Sequence, residues 1–170
     1  MKFTRLAFAL LFTFFLLSCS DDKESAPITI VKEWHVIDVS VTGTGTTSLF
    51  GQPVTVNVTG DETDISYEIT FSENPNNAND SGGYGMTFTA SSGTGQTFTE
   101  TYPSIDLFDG GTWALSENEL IVTSSGIPVV YSISNFTSNT LTLTGDISRD
   151  IIVQGQTISM EIEVKYSMVY

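Results

Sequence analysis

The chain has 170 residues, with 20 acidic side chains against six Lys and Arg, one His, one Cys and a formal net charge of −14 at neutral pH. That length holds about one domain with a real core, and the single cysteine excludes an intramolecular disulfide, so packing and backbone hydrogen bonds must supply the stability. The charge excludes nucleic acid as a partner, and a composition that is 40% hydrophobic and 11% aromatic excludes an acidic disordered chain.

Residues 1–18 read as a signal peptide. Lys2 and Arg5 precede an apolar run from Leu6 to Leu17. At about a dozen residues it falls short of the ~20 a helix needs to span a bilayer, and fits the apolar region of a secretory leader. No later stretch reaches membrane length. The expected mature chain is therefore exported without crossing a bilayer, and it keeps four cations against 20 acids, a net charge of −16.

The run ends in Leu16-Leu17-Ser18-Cys19, which resembles a bacterial lipobox, with Leu17 where that pattern prefers a small residue. The resemblance implies that Cys19 becomes the lipidated N-terminus of the mature protein and its attachment to the membrane. Each buried CH₂ of an acyl chain contributes about 0.8 kcal/mol, so several chains together hold a domain permanently. Residues 19–27 are then the lipidated cysteine and an acidic tether, whose eight residues Ser20 to Pro27 reach about 27 Å when extended. Ser20, Asp21 and Asp22 are similar to the export tag of surface-exposed lipoproteins in the Bacteroidota, although an ordinary solvated tether is acidic too. The tag implies the outer membrane, with the domain facing the cell exterior.

Residues 28–170 alternate as half-buried strands do, one side chain in and the next out. Ile65, Tyr67, Ile69 and Phe71 oppose Ser66, Glu68, Thr70 and Ser72, and the run from Ile158 to Met168 is equally regular. Alternation of this kind marks antiparallel sheet, because parallel strands buried on both faces read as continuous apolar runs. In chain order the expected strands are 31–41, 54–58, 65–71, 84–90, 96–102, 111–115, 120–123, 127–133, 140–147 and 158–168. Glu117-Asn118, Gln154-Gly155 and Ser91 to Gly95 read as hairpin turns. Gly43 to Ser48 reads as a flexible hairpin loop, Asn74 to Gly83 as the longest polar loop, and Asp106 to Gly111 as another. The fold class is all-β: an antiparallel meander of about eight to ten strands, which closes into an up-and-down barrel to remove its edges.

Four short segments, Val31-Lys32-Glu33-Trp34, Ile69 to Asn74, Gly111 to Leu115 followed by Glu119-Leu120, and Tyr131-Ser132-Ile133 before Thr140 to Leu143, resemble the lipocalin-like domains of bacterial lipoproteins. Lys32 stands where that family usually has glycine. The resemblance implies a lipocalin-like barrel of eight strands or slightly more, often of unknown ligand.

Candidate chemistry is sparse. His35 is the only histidine, which rules out a multi-histidine metal centre, and no G-x-S-x-G elbow supplies a serine for a triad. Gly43 to Ser48 lacks the G-K-[ST] ending of a phosphate loop. The two oxygen-rich loops miss the EF-hand calcium spacing. The pairs Glu117 with Glu119 and Glu161 with Glu163 alternate with inward apolar residues, so both point to solvent and not across a glycosidic bond. No catalytic residue, metal or cofactor is expected. Tyr67, Phe71, Tyr84, Phe88, Phe98, Tyr102 and Tyr131 share the inward parity of their strands. A small barrel is either filled by such side chains or holds one small ligand. Their bulk favours filling, and if a small apolar ligand is bound, they line its site. The other expected partner is an envelope protein or glycan reached through the loops at 43–51 and 74–83.

Overall fold

The structure is a computed structural model that describes residues 29–49 and 51–170; Cys19, Ser20, Asp21 and Asp22 lie outside the described residues. Nine strands run antiparallel: β1 (Glu33–Leu49), β2 (Gln52–Ser72), β3 (Asn77–Ser92), β4 (Thr97–Ile105), β5 (Gly111–Ser116), β6 (Glu119–Ser124), β7 (Ile127–Ser134), β8 (Thr140–Val153) and β9 (Gln156–Val169). Their order is β2-β1-β9-β8-β7-β6-β5-β3-β4, and a further β2–β3 pairing turns the sheet into a ring. The all-β antiparallel fold is thus as the alternation predicts, and its closure into a barrel is as the family resemblance implies.

The segments 54–58 and 65–71 are one strand, β2, and the reason is a bulge. Val56, Val58 and Gly60 face inward on even numbers, then Tyr67, Ile69 and Phe71 on odd ones. The register against β3 shifts between Thr63 and Ser66, where Asp64 adopts a positive φ of 51°. One extra residue reverses the facing of everything after it. β1 does the same between Val36 and Val39, and this is why Ile37, apolar and mid-strand, is exposed.

Two expected loops are strand. Residues 43–48 belong to β1 and pair with β2, and 43–46 pair with β9 as well, Gly43 lying opposite Val58 of β2 and Ile162 of β9. Their Gly and Thr residues suit close packing between neighbours, and the expectation mistook small residues for flexible ones. Of residues 74–83, Asn77 to Gly83 open β3 and pair with Ser72 to Ser66 of β2, so only Glu73 to Asn76 form a turn. Their polar side chains belong to a solvent-facing strand. The turns at Glu117-Asn118 and Gln154-Gly155 are present, and Ser125-Gly126 makes a further one between β6 and β7.

The wall is uneven. β3 shares one edge between β4, which pairs with its second half, and β5, which meets only Asn77 and Ala78. Across from it, β7 pairs with β8 only over Thr142 to Gly145. Among the described residues, β8 from Asp146 onward therefore has no strand paired on that side, although β9 pairs with it throughout on the other. Tyr102 of β4 closes part of the seam: its hydroxyl donates to the carbonyl of Ile152 and accepts from the Ile152 N–H, standing in for a strand partner. The Gln154 N–H donates to Glu100.

The segments that resemble the family sit at the end of the barrel where all but β4 meet. Trp34 is fully buried and its indole N–H donates to the Ile30 carbonyl; the Trp113 indole donates to the Ser72 carbonyl. Lys32, in place of the usual glycine, lays its ammonium over the rings of Trp34 and Tyr170 and donates to the Ser138 carbonyl.

Candidate functional site

The seven aromatics are drawn together inside the barrel. Tyr67, Phe71, Tyr84, Phe88 and Tyr131 are buried, and Phe98 and Tyr102 are half-buried against the same core. Tyr67 meets Tyr84 edge-on at 5.1 Å between ring centres, and Phe88 meets Tyr102 at 5.9 Å. The hub is a residue outside the seven. Phe108 contacts Phe71 at 6.4 Å, Tyr131 at 5.7 Å and Tyr166 at 6.0 Å, edge-on or tilted as aromatic pairs prefer.

Phe108 comes from the loop between β4 and β5, which enters the barrel as a plug. Asp106 fixes it: its Oδ1 accepts from the Phe108 N–H and from the Tyr67 hydroxyl, both at 2.9 Å. The Leu107 N–H donates to the Tyr84 hydroxyl at 3.2 Å. From outside, the Arg149 guanidinium donates to the Asp106 carbonyl and faces Asp109 at 3.4 Å. The signal in the sequence was the pair Leu107-Phe108 within an otherwise polar, glycine-ended stretch, since exposed loops seldom carry two large apolar residues.

The interior phenols are held in the protonated form. Burial pushes Tyr84 up to about 12. Burial first, and then the Asp106 carboxylate, raise Tyr67 further; burial and then Asp109 do so for Tyr131. Tyr166 is raised in the same way, and its hydroxyl lies near the Tyr84 and Tyr131 phenols without completing a hydrogen bond among the described residues. Phenols in this state donate hydrogen bonds and do not act as nucleophiles.

Asp80 of β3 lies near Asp106, and its carboxyl is raised above the ordinary 3.8 by burial first and then by the neighbouring Asp106 carboxylate. The folded state therefore holds this proton more tightly than the unfolded one. The contribution is complete below 3.8 and is lost as pH rises through the raised value. Asp80→Asn is expected to remove that part of the pH dependence. Denaturation midpoints of both proteins across the acid range measure it, and parallel pH curves would rule the pair out as its source.

The interior gap beside Phe98, walled by Thr47, Val56, Val153, Gln156 and Ile158, is about 10 Å³. Open space lies along the free edge of β8. One cleft of about 340 Å³ lies between β7 and β8, with Leu107, Val129, Tyr131 and Ile147 as its apolar lining and Asp109, Asp146 and Arg149 as its charged groups. A second, of about 420 Å³, continues past Arg149 to Tyr102, Ile105 and Ile152. Of the seven aromatics, Tyr131 touches the first and Tyr102 the second. Another hollow, of about 560 Å³, crosses the outer faces of β1 and β9 at Thr42 to Thr44 and Glu161 to Glu163. It is a shallow strand surface whose charges all have one sign, and no recognition chemistry converges there.

Glu117, Glu119, Glu161 and Glu163 are exposed. His35 is on the outer face, its Nδ1 at 3.0 Å from Oε1 of Glu68. Among known families, the lipocalin-like domain matches residues 30–143, from just before β1 into β8. No curated protein matches the chain.

Proposed function

The chain belongs to the lipocalin-like domain family, and from that premise we propose that it is a non-enzymatic barrel, held at the outer membrane by acyl chains on Cys19, whose exterior engages an envelope protein or glycan. The packed interior carries this reading. Phe108 and its ring of aromatics occupy the space in which a barrel of this size would hold a ligand. Recognition is left to the outside, where the free edge of β8 runs beside exposed Ile127, Val130 and Ile152. An unpaired edge flanked by apolar side chains is a template for another chain. The one histidine faces a carboxylate and not a hydroxyl, which supports a non-enzymatic role.

A small apolar ligand is the second reading, favoured by the family and by the cleft of about 340 Å³ over Leu107 and Tyr131, a volume within the range of small-molecule sites. Native mass spectrometry of the full chain in mild detergent separates the two. The interaction reading expects the mass of the lipidated protein alone; a stoichiometric apolar adduct would put the ligand reading first.

The location has its own test. Cys19→Ala is expected to leave an unprocessed precursor that an alkyne fatty acid no longer labels in cells, and continued labelling of the variant would refute the anchor. If Ser20, Asp21 and Asp22 act as an export tag, replacing both aspartates by alanine reduces protease shaving of the domain from intact cells. Equal shaving would remove that role.

A further inference from the structure

Nitrogen and oxygen donors converge at one place on the outer wall. Glu33 and His35 are two apart on β1, so their side chains leave the same face. His35 stands directly opposite Glu68 of β2 in the antiparallel register, which brings their Cβ atoms within about 5 Å. His35 Nδ1 is accordingly 3.0 Å from Glu68 Oε1, and with a carboxylate oxygen of Glu33 the three donor atoms lie within 4.8 Å of one another.

The surroundings leave these donors available. Ser81 of β3 donates to the other oxygen of Glu68 at 3.4 Å, which holds that carboxylate with Oε1 toward the imidazole. On the β9 side the residue opposite His35 is Val169, which brings no charge. The neighbouring cation, Lys32, is turned to the Trp34 and Tyr170 rings. Among the described residues no Lys or Arg forms an ion pair with Glu33 or Glu68.

We propose that Glu33, His35 and Glu68 form a surface site for a divalent transition-metal ion, with zinc the best match. Zinc binds imidazole nitrogen and carboxylate oxygen at about 2.0–2.2 Å, so neighbouring donors in a tetrahedral site are about 3.3 Å apart. The His35–Glu68 pair is already near that spacing, with a proton where the metal would sit. A change of rotamer on exposed Glu33 brings in the third donor. Two carboxylates balance the charge of the ion, and a strongly acidic surface concentrates cations around it. Calcium and magnesium are the poorer match, since they require six or more oxygens and gain little from imidazole. Three protein donors leave a fourth position for water.

Because His35 is the only histidine, its ring C–H resonances report on this site alone. One equivalent of Zn²⁺ added to the full chain in detergent is expected to shift them, and calcium at the same concentration to leave them in place. His35→Gln and Glu33→Gln each lower the zinc affinity measured by calorimetry about tenfold or more. Paired Glu161→Gln and Glu163→Gln on β9, which also remove surface charge, leave it unchanged. Imidazole resonances unmoved by excess zinc, or an equal affinity in His35→Gln, would overturn the site.

Discussion

Replacing Phe108 by alanine is expected to destabilise the barrel by about 3–5 kcal/mol, the range for removing a buried phenylalanine, and to turn a packed interior into one that binds. Phe108 is completely buried although it lies in a loop, and its ring touches Phe71, Tyr131 and Tyr166 at once. Hydrogen bonds from the Phe108 N–H to Asp106 and from the Leu107 N–H to Tyr84 hold the backbone at this point, so the segment cannot simply follow the truncated side chain inward. The result is a cavity walled mainly by aromatic rings. Engineered cavities of this kind stay dry and accept benzene. Thermal unfolding of Phe108→Ala with and without benzene measures both effects: a midpoint about 10 °C below wild type, raised by benzene in the variant alone. An unchanged midpoint would show that the loop is not what fills the barrel. A large loss with no benzene response would mean that the walls collapse on the gap.

The sequence makes the barrel legible wherever parity runs unbroken. From Ile158 to Met168 every second residue is buried, as the alternation requires, and the half of β2 from Tyr67 to Phe71 is equally plain. Legibility fails where a bulge reverses the facing. Val56 and Tyr67 are on one strand but on opposite parities, and nothing local announces the extra residue between them, since the bulge is fixed by pairing with residues of β1 and β3 beyond the turns at either end of β2. The interior site is half legible for a similar reason. Inward parity finds Tyr67, Phe71, Tyr84, Phe88 and Tyr131, because each is on a strand. Phe108, Asp106 and Arg149 follow no period: the first two are on a loop, and Arg149 acts through a side chain that reaches 40 residues back to Asp109. The zinc donors are invisible for a third reason, because only the register between β1 and β2 places Glu68 opposite His35.

Gly43→Ala tests the pairing of β1 with β9 directly, and its sign separates loop from strand. In a flexible loop, adding a methyl group restricts the unfolded chain and stabilises by about 0.4–1 kcal/mol. Gly93, in the turn between β3 and β4, is such a position, with nothing within 4 Å of where a Cβ would be. At Gly43 the new Cβ would lie 2.3 Å from the Glu161 carbonyl oxygen and 2.7 Å from the Ile162 Cα, both main-chain atoms of β9. Backbone cannot turn aside as a side chain does, so β1 and β9 must separate where they pair, and overpacking of this kind costs about 1–3 kcal/mol. Gly45 makes a useful intermediate case, because the nearest atom there is Cγ2 of Ile158, at 2.4 Å, and a side chain can rotate. The expected order of denaturation midpoints is Gly93→Ala at or above wild type, then Gly45→Ala, then Gly43→Ala lowest. A Gly43→Ala midpoint at or above wild type would return residues 43–48 to the loop that their composition suggests, and would take with it the β1–β9 pairing along this stretch.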